Sequence, residues 1–491
     1  MTTRTAPVAK PKPKPKPKPK PKPKSPAPLV PLPGAVAFFK HLCGLDSLAA
    51  VLGRTGGYDR CWTPPVTLMA MMLGHLIGQA TLESVVAFVR TGLLDSLCTN
   101  AKKISALLES TDSTAGYAQA RARLSVTWLR HCLGAQARDL QTLAGGWQWH
   151  GLAVRVLDGT MITMRPYHRI SKRYPAHRNQ HGTCYWCQMR VLACMCLGTG
   201  VIISMVTGNA MDSEQAQTVR LLLFGGAGHP PPLPATVLWM GDANFGVWRV
   251  VAAASQTNQH SLVRLTIKRA KKLAGATPLV PGLDLAVTWS PSRQDQVDRG
   301  LVAVPVAGRL IVIRLTRCGY RPVELLLFTT VTAAIGPAEL AAIYLKRWAI
   351  ELSLRHFKAQ LGLGELRAKS PAMAKRELFT GVHSYNLVRG AMLVSAATHG
   401  ESPAKMSFAK ARAELTTLLI ASALALKVGP RSWEAMFARI ATGKLKQRRN
   451  PRPPEPRLKR HRRETFPPLK GERATARIRH APPDEPSSVK S

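Results

Sequence analysis

Apolar positions recur at helical spacing from Ala35 to about Gln148, as in Leu68, Met71, Met72, His75 and Leu76, and again in Tyr117, Arg121, Leu124 and Trp128. That period predicts a helical N-terminal domain over 35–148. Beyond it the pattern shortens. Residues 152–157, 189–197 and 237–240 are compact aliphatic or β-branched runs ended by Gly or Asp, the signature of buried strands. Between 261 and 330 further short runs at 301–306, 309–315 and 323–329 have few helical patterns between them and predict a β-rich insertion. Helical periodicity returns over 337–399 and 406–427, before Pro and Arg take over near Asn450.

The chain therefore reads as an α/β protein in seven stretches. A Pro-Lys-rich basic arm (1–34) precedes the helical domain (35–148), which is followed by the first part of an α/β core (149–260). The β-rich insertion (261–322), the second part of the core (323–400), a C-terminal helical region (401–442) and a basic tail (443–491) complete it. Residues 10–24 repeat Pro-Lys, which favours extended polyproline-like chain and cannot bury a core, so both tails are expected to be disordered. The arm suits electrostatic capture of DNA or is an expansion without a specific role.

Composition changes this picture in two ways. At 45% hydrophobic, 491 residues have ample apolar surface for a real core. The formal charge of +42 then narrows the partner, since such an excess attracts a polyanion, with nucleic acid first. Residues 1–34 carry +9 and residues 443–491 carry +10, which leaves the middle of the chain at +23 and basic in its own right.

Nine cysteines, an odd number with no regular framework, suit a reducing compartment. The cluster Cys184, Cys187, Cys194 and Cys196 invites a zinc reading. Its second pair, however, is separated by one residue inside an alternating apolar run, which suits a strand better. Residues 66–82 are apolar but contain His75, Gln79 and two glycines, so they read as a buried helix rather than a membrane span. The start of the chain alternates Pro and Lys and has no continuous apolar segment of the secretory kind. The expectation is a soluble cytoplasmic protein with no membrane partner, associated with the nucleoid through DNA.

The candidate chemistry lies in three carboxylates. The run 152–157 leads into Asp158-Gly159-Thr160, and the run 237–240 leads into Gly241-Asp242-Ala243-Asn244-Phe245, which would put each Asp at a strand's carboxyl end. Catalytic groups gather at that edge of open α/β sheets. Taken singly, Asp158 is equally a turn former. Its partners come from residues 344–358, helical in propensity and free of proline, where Tyr344, Arg347, Glu351 and Lys358 fall within about 60° of one helix face. Leu345, Trp348 and Leu352 lie to one side of that face, placed to pack on the sheet.

One carboxylate flanked by a phenol and two cations suits a metal ion beside a phosphate backbone. Two metals about 3.5–4 Å apart can serve phosphodiester chemistry if several carboxylates hold them, and Asp158, Asp242 and Glu351 could supply that cage. Oxygen ligands without His or Cys point to Mg²⁺ or Mn²⁺. A solvated face with an i,i+4 ion pair between Arg347 and Glu351 is the structural alternative.

The segment 344–358 resembles the Y-x2-R-x3-E-x6-K signature of the insertion-sequence-four family of bacterial cut-and-paste DDE transposases, with all four signature residues in place. Asp158-Gly159-Thr160 resembles the family's first Asp block and Gly241-Asp242-Ala243-Asn244-Phe245 its second, while 117–124 resembles an N-terminal block. The resemblance covers roughly 35–400. It implies an RNase H-like α/β core and a β-rich insertion before the catalytic Glu, for which the separation of 109 positions from Asp242 to Glu351 leaves room.

The resemblance also implies metal binding by Asp158, Asp242 and Glu351. Tyr344, Arg347 and Lys358 would contact DNA phosphates, and a pair of proteins would bring two element ends together in at least a dimer. The implied reaction is metal-dependent cleavage at the element's ends followed by strand transfer, with no covalent enzyme intermediate. Trp348 reads as core packing, with stacking on a displaced base as its alternative. Two other readings remain for the chain, a domesticated, catalytically inactive transposase that only binds DNA, and a plain metal-dependent nuclease or resolvase on the same fold.

Overall fold

The computed structural model describes residues 62–78, 81–98, 103–109, 113–179, 182–225, 236–295, 301–316, 323–423 and 428–445. The Pro-Lys arm, residues 35–61 and all but the first three residues of the basic tail lie outside them. Helices come first: α1 (Pro64–Leu76), α2 (Leu82–Arg90), α3 (Ile104–Glu109), α4 (Ala115–Arg123) and α5 (Val126–Leu143). Their starts are written in the sequence. Thr63 caps α1 ahead of two prolines, and Ser125 caps α5 by accepting from the Trp128 amide. Leu68, Met71, Met72, His75 and Leu76 are all buried, as the period predicts. None of the described helices is long and apolar enough to cross a membrane.

The sheet begins with β1 (Ala153–Met164), followed by α6 (His168–Arg173), β2 (Ala176–Asn179), β3 (Gly182–Cys196) and β4 (Ile202–Asn209). Next come α7 (Glu214–Phe224), β5 (Val237–Gly241), α8 (Trp248–Gln256) and β6 (His260–Arg264). β3 runs antiparallel to β1 and to β4, whereas β1, β5 and β6 are parallel, with Ala153 opposite Val237 and Gly241 opposite Val263. That mixed order, β4-β3-β1-β5-β6, fits an RNase H-like core.

Side chains alternate across it into two cores. Val154, Val156, Met189, Val191, Leu238 and Met240 face one, while Leu157, Leu192, Cys194, Val237 and Trp239 face the other. Cys187 belongs to the first face and Cys194 to the second, so these two thiols lie on opposite sides of β3. Burial drives the Cys194 thiol up to about 12, and it behaves as a small core residue.

The insertion extends the same sheet instead of forming its own. After α9 (Ile267–Ala274), β7 (Asp284–Trp289), β8 (Val306–Leu315) and β9 (Val323–Thr329) form an antiparallel meander, and β9 pairs with β6. Two expectations fail there. Residues 301–305 are not a strand, because Val302 and Val304 are largely exposed and the Val304 amide turns back to the Val302 carbonyl. α9, with Ala270 and Ala274 buried and lysines outward, is a helix the apolar pattern did not announce.

The chain closes with α10 (Pro337–Leu345), α11 (Ala349–Arg355), β10 (Glu365–Leu366), α12 (Pro371–His399), α13 (Phe408–Ala423) and α14 (Pro430–Thr442). α12 is buried along nearly all of 378–396 and joins the sheet to the N-terminal helices through one apolar core. Its polar residues are paired. Asn386 accepts from the Ile202 amide and donates to the Ile202 carbonyl, and His383 bonds the Gln136 side chain and the Leu129 carbonyl.

Candidate active site

Asp242 stands where the sequence puts it, directly after β5. Asp158 does not end a strand, since β1 runs on to Met164 and Asp158 pairs with Ala193 of β3. The turn reading of Asp158-Gly159 is thereby corrected. A strand that hands its pairing from a parallel neighbour to an antiparallel one need not stop. The parallel pairing with β5 ends at Val156, so Asp158 still stands at the carboxyl edge of the parallel strands, beside Asp242.

The segment carrying Glu351 is less regular than a single helix. α10 tightens into a 3₁₀ turn over Lys346–Trp348, α11 follows, and a π turn spans His356–Gln360. Its inward stripe is Leu340, Tyr344, Arg347, Ile350, Leu354 and Phe357, all buried. The opposite stripe of Leu345, Trp348 and Leu352 is exposed, with Trp348 at 62%, and the expectation that these three pack on the sheet is wrong. The polar signature residues Tyr344 and Arg347 take the inner face instead, where Tyr344 bonds the Gly241 carbonyl and Arg347 bonds Glu351.

All six sequence-predicted residues meet at this edge. Burial raises the Asp158 carboxyl to about 7. Arg347 opposes that shift, while Asp242 and Glu351 reinforce it. Burial lowers the Lys358 ammonium below its ordinary range, against the pull of Asp158. Tyr344 is 3% exposed, burial lifts its phenol to about 12, and its hydroxyl donates to the Gly241 carbonyl at 3.3 Å, next to Asp242. Burial acts against the Arg347 charge, but Tyr344, Glu351 and Asp242 outweigh it and hold the guanidinium above its ordinary value.

Arg347 Nη2 donates to Glu351 Oε1 at 2.9 Å, the i,i+4 pair visible in the sequence. Its Nε is buried with no partner among the described residues, a donor without an acceptor.

Around the rim, Arg269 of α9 donates to the Ala243 carbonyl at 2.7 Å and fixes the turn after Asp242. Arg264, Lys268, Lys271 and Lys272 are exposed nearby in sequence, on the end of β6 and on α9. Sequence reading also passed over Glu214 and Arg190, and gave Asn244 no role beyond its place in the second Asp block. Arg190 donates to Glu214 Oε1 at 2.5 Å, Asn244 Nδ2 donates to Glu214 Oε2 at 2.6 Å, and the Asn244 amide donates to Asp242 Oδ1 at 2.8 Å. A charged residue inside the alternating apolar strand 189–196 was the available signal.

Three facing carboxylates repel one another and would be neutralised by cations, and an all-oxygen donor set suits Mg²⁺ or Mn²⁺. Among the described residues no three His, Cys, Asp or Glu side chains converge to hold one ion as they stand. Glu351 is engaged by Arg347 in this arrangement.

Comparison with known proteins finds transposases. Residues 149–387 match the family model described as the transposase DDE domain, a span that contains Asp158, Asp242 and Glu351. The transposase InsG of insertion sequence element IS4 from Escherichia coli (strain K12) is 23% identical over 296 residues, which is 60% of this chain. The match covers 64% of that relative's length, a little under two thirds. A piggyBac transposase solved as a synaptic complex with hairpin DNA aligns over 82% of this chain and 85% of that one, at 10% identity and a TM-score of 0.38. Residues 149–387 are thus similar to the transposase DDE domain, and a curated relative of this chain is an insertion-sequence-four transposase.

Proposed function

We propose that this chain cuts DNA at the ends of an insertion sequence and joins the freed ends to target DNA by two-metal-ion phosphoryl transfer. The observation that carries the reading is the convergence of Asp158, Asp242 and Glu351 with Arg347 and Lys358 at one sheet edge, within a transposase DDE domain. Mg²⁺ or Mn²⁺ bound there supplies activation of the attacking oxygen and charge stabilisation at the leaving oxygen.

Asp158, Asp242 and Glu351 would hold the ions. Arg347 Nε and the Lys358 ammonium would bind phosphate oxygens, and a phosphate would complete the unmet donor of the first. Tyr344, whose hydroxyl is held on Gly241, braces the Asp242 turn and would reach a phosphate only by giving up that bond. In the first step water attacks the phosphorus at the element's end. The P–O bond to the 3′ oxygen breaks, and that oxygen leaves as a hydroxyl. In the second step that hydroxyl attacks a target phosphodiester, forming one P–O bond as another breaks.

Double-stranded DNA is the partner that the +42 charge suits, and pairing two ends calls for at least a dimer. The test is Mg²⁺-dependent cleavage of a fragment carrying the gene's own flanking sequences. Wild type should cut at the element boundaries, and Glu351→Gln and Asp158→Asn should bind the ends without cutting. Tight binding by wild type with no cut in Mg²⁺ or Mn²⁺ would overturn the reading in favour of DNA binding alone.

A further inference from the structure

Glu214 is the first residue of α7, held there by the Ser213 cap. It lies against β1 and against the turn that follows β5. On one side is Gly159 of β1, where an added Cβ would collide with both Glu214 carboxylate oxygens, so that a larger residue there would push the Glu214 carboxylate away from its present place. On the other side is Asn244, whose side-chain amide donates to Glu214 Oε2 and whose backbone amide donates to Asp242 Oδ1. Arg190 of β3 holds Oε1 and also donates to the Ala210 carbonyl at 3.0 Å. Gln215 adds a donor to the Asn244 carbonyl at 2.9 Å.

Both oxygens of Glu214 are thus taken by donors from the chain, and its side chain is only 16% exposed. It is therefore not a spare metal ligand. We infer that Glu214 is a positioning residue that sets the separation of Asp158 and Asp242, through its contact with Gly159 and its bond to Asn244, and so tunes divalent-metal affinity. The inference rests on the metal-binding reading of those aspartates. Partners that orient first ligands commonly change metal affinity by about 10–100-fold when removed.

The test is Mn²⁺ titration of the full-length protein without DNA, followed by calorimetry, with thermal melting in chelator as the control for folding. Glu214→Gln places an NH₂ group against one of its two donors and should weaken Mn²⁺ binding about 10-fold or more. Asn244→Ala cuts the link at an exposed residue, where folding is not at stake, and should weaken it in the same direction. Arg190→Lys keeps a cation on Oε1 and should retain most of the affinity. Wild-type affinity in both Glu214→Gln and Asn244→Ala would overturn the inference. So would a loss of affinity that merely follows a fall in the chelator melting temperature, which would mark the bracket as structural. If wild type binds no Mn²⁺, or Asp158→Asn leaves binding unchanged, the metal reading itself falls, and with it this inference.

Discussion

At the scale of single residues, Asp158 gives the clearest physical handle. Its carboxyl stands at about 7 in the folded protein against 3.8 for the free group, chiefly through burial. The native state therefore keeps a proton that the unfolded chain loses between those values, and stability falls as pH rises from about 4 to about 7. In chelator at pH 8, Asp158→Asn should be more stable than wild type by about 1–3 kcal/mol, with the difference vanishing near pH 4. Urea unfolding at the two pH values measures it, and equal stability at pH 8 would mean the carboxylate is not strained. Mg²⁺ should reverse the order by binding only the wild-type site. If Asp158 holds a metal as proposed, the same titration should make metal affinity rise with pH through about 7.

At the scale of elements, the helix 371–399 and the segment 337–360 behave in opposite ways, and two substitutions expose the contrast. Asn386→Ala removes the side chain that bonds both the buried amide and the carbonyl of Ile202, and should cost about 2–4 kcal/mol in chemical denaturation. Trp348→Ala removes a far larger side chain but one that is 62% exposed, and should change stability by no more than about 0.5 kcal/mol. A cost of several kcal/mol at Trp348 would restore the packing role that its helical spacing suggested.

Much of the element order was legible because caps and periods are local. Thr63, Ser125, Ser213 and Ser370 each stand one residue before a helix, and Asp242 follows a five-residue apolar strand. What was not legible depends on partners distant in sequence. β1 continues past Asp158 because β3 pairs with it, and Trp348 turns outward because Arg347 is drawn to the carboxylates. Glu214 matters only because folding brings it against Gly159 and Asn244, which lie 55 residues before it and 30 after it.

For the molecule as a whole, charge is distributed in excess of what the site needs. The arm and the tail contribute +9 and +10 of the +42, and every proposed site residue lies between 158 and 358. The boundary for a clean truncation is also visible. Leu445 still donates its amide to the Lys405 carbonyl, and Lys444 bridges Met406 and pairs with Glu401 at 2.6 Å, so a cut should fall after residue 445. Each phosphate neutralised by the protein adds about 0.9 to the slope of log affinity against log salt. Removing 1–34 and 446–491 should therefore flatten that slope by several units and weaken sequence-independent binding most at low salt, as anisotropy titrations between 50 and 200 mM salt would register. Mg²⁺-dependent cleavage by the truncated protein should persist at low salt, because the remaining chain is still strongly basic and keeps all three carboxylates with Arg347 and Lys358. Loss of cleavage with the fold intact would instead place an essential DNA contact in the tails and make them part of the enzyme's working surface.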